Sequence, residues 1–123
     1  MKKILIVEDN ADIRKLVRMT LESAEYEILE ASDGDSGWYL AQTSRPDLVL
    51  LDVMMPGKLD GLQVCMQIKQ DPALARTRVL LLTARGQTRD REAGLEAGAD
   101  AYLAKPFSPL QLIDTIDHWL QGR

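Results

Sequence analysis

Leu48-Val49-Leu50-Leu51-Asp52 decides the fold of this chain. Four apolar residues in succession, with no polar alternation, read as a strand buried on both faces, the habit of a parallel sheet covered by helices. Aspartate is disfavoured inside such a strand, so the Asp52 carboxylate is expected where the strand leaves the core and its tip meets solvent. The arrangement recurs near the start, where Ile4-Leu5-Ile6-Val7 runs straight into Glu8 and Asp9. If the two strands are neighbours, three carboxylates converge at their C-terminal ends. Like charges so crowded need a cation to relieve them, and an all-oxygen set suits a hard ion such as Mg²⁺.

Strand-like apolar runs fall at residues 3–7, 26–31, 48–51, 79–82 and 101–104, and the segments between them carry helical spacing. Ile13, Leu16, Val17, Thr20, Leu21 and Ala24 mark one face of a helix that either Asp9 or Asn10 is placed to cap. Leu112, Ile113, Ile116, Trp119 and Leu120 repeat the pattern at the other end of the chain. Strict alternation of strand and helix implies right-handed crossovers and a doubly wound α/β domain. One helix reads weakly. Between residues 87 and 97 its apolar residues are essentially Ala93, Leu95 and Ala97, and Gly94 interrupts it at a cost of ~1 kcal/mol relative to Ala. That helix is expected to be loosely anchored.

At 123 residues and 46% hydrophobic content the chain has the size of one compact domain, residues 1–123, with a sizeable core. A net charge of −4 and scattered basic residues argue against a nucleic-acid surface, which needs concentrated Lys and Arg. The single cysteine, Cys65, excludes an intrachain disulfide and a cysteine metal cluster. Its helical spacing with Leu62 and Ile68 makes it a core filler. No apolar stretch has the length of a membrane span and no signal peptide fits, so a soluble, cytoplasmic protein is expected.

In open α/β sheets, ligands bind outside the C-terminal strand ends where the strand order reverses. The residues expected there are Glu8 and Asp9, Asp52, Thr83 and Ala84, and Lys105 and Pro106. Carboxylates to hold a metal, one more to act as nucleophile, a hydroxyl and a lysine are the parts of a phosphoryl-transfer site. Taken singly the residues are less specific. Asp9 alone reads as a helix cap, Asp52 as a loop acid, Thr83 as an ordinary strand residue, Lys105 as a solvated lysine, and Tyr102 as half-buried core with a wet hydroxyl. His118, near a helix C-terminus, is explained by the helix dipole and is assigned no function.

Taken together, the stretches Ile4-Leu5-Ile6-Val7-Glu8-Asp9-Asn10, Leu50-Leu51-Asp52-Val53-Met54-Met55-Pro56-Gly57, Leu82-Thr83-Ala84, Gly98-Ala99-Asp100-Ala101-Tyr102 and Ala104-Lys105-Pro106-Phe107 make the chain resemble the receiver domain of bacterial two-component response regulators over nearly its whole length. The resemblance implies a five-stranded, flavodoxin-like parallel sheet of order 2-1-3-4-5. It implies that Asp52 is the phospho-acceptor for a histidine kinase or phosphotransfer protein, a switch component rather than an enzyme turning over a separate substrate. It further implies that Asp9 and Asp52 ligate Mg²⁺ directly, that Glu8 does so largely through a water, and that the Met54 backbone carbonyl supplies another oxygen. Lys105 would neutralise a phosphoryl oxygen, after a cis bond to Pro106. Thr83 and Tyr102 would form the switch, reporting to the fourth helix.

Rival classes fit less well. A haloacid-dehalogenase-type phosphotransferase needs a second Asp two residues after the nucleophile, where Met54 stands; a dinucleotide-binding module needs a Gly-x-Gly-x-x-Gly after the first strand, and none is present. A phosphorylation-independent interaction module of the same fold is the remaining alternative, although such modules usually lack part of the acid, Asp, Thr and Lys set. The loop 56–61 reads as one residue longer than the usual receiver loop. Around residues 83–86 and 105–109 the chain is similar to receivers of winged-helix transcription factors, which pair through the fourth helix, fifth strand and fifth helix. At the matching positions stand Glu92 and Asp114, with Ala101, Gln111 and Thr115 where charged partners belong. The isolated domain is therefore expected to stay monomeric and to offer that face to a downstream effector.

Overall fold

The computed structural model describes residues 1–22, 24–55, 60–84 and 88–121. Strands and helices alternate: β1 (Lys2–Val7), α1 (Ala11–Leu21), β2 (Tyr26–Ala31), α2 (Gly34–Ser44), β3 (Leu48–Asp52), α3 (Gly61–Gln70), a short 3₁₀ turn (Pro72–Leu74), β4 (Arg78–Ala84), α4 (Thr88–Glu96), β5 (Ala101–Lys105) and α5 (Pro109–Gln121). All strand pairs are parallel and the sheet order is β2-β1-β3-β4-β5. The order reverses between β1 and β3, the two strands that end in acids.

Every residue of β3 is buried, which is why its sequence shows no alternation. One face of the sheet sets Leu5, Val7, Val49, Leu51 and Leu81 against Ala41, Val64, Cys65 and Ile68 of α2 and α3. The other sets Ile4, Ile6, Leu48, Leu50 and Leu80 against Val17 and Leu21 of α1 and Leu112 and Ile116 of α5. Each large aliphatic side chain so enclosed stabilises the fold by roughly 1.5–3 kcal/mol relative to exposure. Cys65 is core filler: burial pushes its thiol up to about 11, with the Lys69 charge pulling the other way.

The strands run further than the apolar runs alone predict. Asp52, Thr83 and Lys105 lie within their strands rather than after them, in register with Leu82, Ala104 and Ala84 respectively. The parallel ladder supplies hydrogen bonds past the last apolar residue, and even Val53 N donates to the Leu82 carbonyl at 3.1 Å.

In α4 the expected anchors are only partly right. Ala97 is buried, but Leu95 is 62% exposed. Gly94 is a contact point rather than an interruption, since a Cβ there would lie 2.4 Å from Leu81 Cδ1. The expectation of a longer loop at 56–61 falls mostly on residues outside those described, as do Arg85 and Gly86.

Candidate functional site

The site is built at the β1 and β3 ends. Glu8 follows Val7, its N–H donates to the Ala31 carbonyl at 3.1 Å, and it is fully buried. Its Oε1 accepts from Lys105 Nζ at 2.7 Å, and its Oε2 from Asn10 N at 3.2 Å. Asn10, not Asp9, caps α1, its Oδ1 accepting from Asp12 N and Ile13 N. Asp9 is thereby left for other work. Its carboxylate joins those of Glu8 and Asp52 in a group whose ligand oxygens lie within 4.8 Å of one another.

Asp52 corrects the expectation of a solvated strand tip: it is 4% exposed. The ladder continues through it, and Lys105 closes over it with Nζ 3.3 Å from Oδ1. Oδ1 also accepts from Met54 N at 3.2 Å. The start of α3 presses on the same residue. Gly61 N donates to the Val53 carbonyl at 3.2 Å, and a Cβ on Gly61 would sit 2.0 Å from the Asp52 carbonyl oxygen, so a side chain at Gly61 is excluded without displacing the strand end.

The electrostatics follow from this crowding. Burial, then the Glu8 carboxyl, push the Asp52 carboxyl up to about 7, and the Lys105 charge offsets only part of the rise. Burial opposes the charge on Lys105, but its bond to Glu8 and the neighbouring Asp52 hold its ammonium above the ordinary lysine value. Asp9 loses something to burial, yet hydrogen bonding with Glu8 and Asp52 and the Lys105 charge keep it below the usual carboxylate range. One ammonium does not balance three carboxylates. A donor set made only of oxygen, short of positive charge, fits a hard divalent cation.

Thr83 is buried on β4, one residue past the register partner of Asp52. Tyr102 is half-buried on β5, in register with Leu81 and packed on the core beneath α4. Met54 lies at the rim, its side chain 69% exposed. The Lys105–Pro106 bond is cis, as expected. His118 is outside the group, its ring edge-on to Trp119 with centroids 5.3 Å apart. Arg14 escaped the sequence reading: its Nη1 donates to the Glu8 carbonyl at 2.8 Å and reaches the Asp9 carbonyl at 3.4 Å. Its partners are backbone carbonyls, which no residue pattern displays.

Residues 4–117 match the model of the response regulator receiver domain. The chain belongs to that family. It is 45% identical over 111 residues to the alkaline phosphatase synthesis transcriptional regulatory protein PhoP of Bacillus subtilis and 47% identical over 111 residues to the transcriptional regulatory protein ResD of the same organism. Each alignment covers 90% of this chain but 45% of the relative, so this receiver domain spans under half the length of those curated relatives. Among solved structures, the chemotaxis response regulator CheY4 of Vibrio cholerae matches with a TM-score of 0.90 at 33% identity, covering 98% of this chain and 99% of that one. The receiver domain of sensor histidine kinase PA1611 from Pseudomonas aeruginosa PAO1, solved with a magnesium ion coordinated in its active-site cleft, matches with a TM-score of 0.89 at 32% identity, covering 98% of each chain. The fold and the two-component relationship expected from the sequence motifs are both borne out.

Proposed function

We propose that this receiver domain is a phosphorylation-activated switch in which Asp52 is the phospho-acceptor. The observation that carries the reading is the Asp52 carboxylate, buried at the end of β3 with Lys105 Nζ at 3.3 Å and two further acids beside it. A carboxylate oxygen attacks the phosphorus of a phosphohistidine, the P–N bond breaks with its electron pair returning to the imidazole, and an aspartyl phosphate results. Asp9 and Asp52 would hold Mg²⁺ directly and Glu8 largely through a water, with the Met54 carbonyl as a further ligand. The bound ion supplies positive charge against that building on the phosphoryl oxygens. Lys105 neutralises one of those oxygens, and its ammonium is already seated between Glu8 and Asp52.

The phosphoryl donor is a sensor histidine kinase or a phosphotransfer protein. The Thr83 hydroxyl moves onto the new phosphoryl oxygen, and the Tyr102 ring turns into the space it leaves, which carries a local charge change to α4. The single domain of residues 1–123 then offers the face made by α4, β5 and α5 to a downstream effector. It undergoes the reaction and assists it, rather than turning over a separate substrate. A net charge of −4 gives this chain no nucleic-acid role of its own, and no helix among the described residues is long and apolar enough to cross a membrane; the proposed location is the cytoplasm.

With Mg²⁺ present, the purified protein is expected to incorporate phosphate from acetyl phosphate, in a linkage labile to alkali and hydroxylamine. Asp52→Asn abolishes incorporation on this reading. Persistent labelling of that variant would contradict it, and no labelling of the wild-type chain would favour the phosphorylation-independent alternative.

A further inference from the structure

The acid loop is held from behind by a chain of charged side chains. Arg14, one turn into α1, projects a half-buried guanidinium whose Nη1 meets the carbonyls of Glu8 and Asp9 at 2.8 and 3.4 Å. Its Nε lies 3.4 Å from Oε1 of Glu30 on β2. The other oxygen of Glu30 accepts from Arg18 Nε at 2.5 Å, and Arg18 Nη2 reaches the Ile28 carbonyl at 3.3 Å. The chain is tied to the sheet: Glu30 is in register with Ile6 of β1, and the next residue, Ala31, accepts from Glu8 N at 3.1 Å. With the Glu8 carboxylate already bonded to Asn10 N and Lys105, the Glu8 residue is fixed through its N–H, its carbonyl and its side chain.

We infer that Arg14, oriented by Glu30, is a positioning residue for the divalent-cation site, fixing the two peptide planes from which Glu8 and Asp9 present their carboxylates. The inference rests on the reading of those acids and Asp52 as the metal site. Arg14 touches no ligand oxygen; it acts through the backbone. A guanidinium suits the task because its fork can bond the loop and Glu30 in different directions at once, whereas a lysine offers a point charge on a flexible stem. Groups that orient metal ligands commonly change affinity as strongly as some ligands do.

Calorimetric titration of Mg²⁺ into the purified chain tests this, at a temperature where circular dichroism shows each variant folded. Arg14→Ala is expected to weaken Mg²⁺ binding about tenfold. Arg14→Lys, which keeps the charge and guards against loss of folding in the alanine variant, is expected to recover only part of that loss. Lys15→Ala, an exposed charge on the same helix, leaves the affinity unchanged if geometry rather than net charge is responsible. Glu30→Gln weakens binding severalfold alone and adds nothing in an Arg14→Ala background, the mark of a residue acting through Arg14. Affinities within twofold of wild type for both Arg14 variants, or a Glu30→Gln cost that is undiminished without Arg14, would overturn the inference. Asp9→Asn separates the two levels. If it too binds Mg²⁺ as the wild type does, the metal-site reading falls and takes this one with it; if it loses binding while the Arg14 variants do not, only the role of Arg14 falls.

Discussion

At the scale of single residues, the decisive balance is at Asp52. Its folded pKa of about 7 stands above the ordinary 3.8, so in the metal-free protein the folded state holds a proton that the unfolded chain has released. The stability linked to this group is full below about pH 4 and is lost as pH rises toward 7, because the folded state then binds more protons than the unfolded one. Removing the charge should therefore help most where the charge is fully formed. In EDTA near pH 8, Asp52→Asn is expected to be more stable than wild type by roughly 1–3 kcal/mol, with the gap closing near pH 4 and shrinking when Mg²⁺ is added. Urea unfolding at the two pH values measures this, and an equal gap at both would show that folding does not raise the Asp52 pKa. Lys105 has its raised value above the lysine range, so its link to folding persists through neutral pH and is lost only in strong alkali.

At the scale of elements, α4 is the helix to which the proposed switch reports. Its described contacts with the core include Gly94 against Leu81 and, just past its end, the buried Ala97, whose carbonyl meets the Cys65 thiol at 3.7 Å. Leu95, the one large aliphatic side chain its sequence offers, is exposed, and an element that buries little apolar surface opens at low local cost, as a switch element requires. Thr83→Ala is expected to remain phosphorylatable, since Asp52, Lys105 and the acids are untouched, while the phosphorylation-dependent change in amide exchange over residues 88–97 falls by about half or more. Equal exchange changes in the variant and the wild type would remove Thr83 from the coupling. The strands were legible because burial on both faces writes an unbroken apolar run, and the acids at their ends because a charge after such a run is conspicuous. The burial of Asp52 was not, since the neighbouring strands and Lys105, distant in sequence, enclose it. Gly94 misled for a related reason: propensity counts its missing side chain as a loss, while packing on Leu81 uses the space. Asn10 and Asp9 were equivalent as caps until the backbone chose one.

At the scale of the whole molecule, the proposed output of the switch lies on the face made by α4, β5 and α5. That face exposes Leu95 and Leu110, at 62% and 67%, beside exposed Glu92 and Asp114. A two-fold pairing would bring these acids into a desolvated patch and repeat each defect twice. Beryllofluoride and Mg²⁺ are expected to leave the protein monomeric in sedimentation velocity at tens of micromolar, with the face free for a different partner. A mimic-dependent dimer that disappears in Leu95→Ala would establish instead the symmetric pairing of the transcription-factor receivers.

The central claim, that one buried carboxylate receives the phosphoryl group, is most directly tested by locating it. Protein treated with acetyl phosphate and Mg²⁺, reduced with borohydride and mapped by tandem mass spectrometry, should carry the reduced acyl position at Asp52 and nowhere else. Reduction at Asp9 or Glu8, or a borohydride-resistant phosphate on a hydroxyl or on His118, would contradict it.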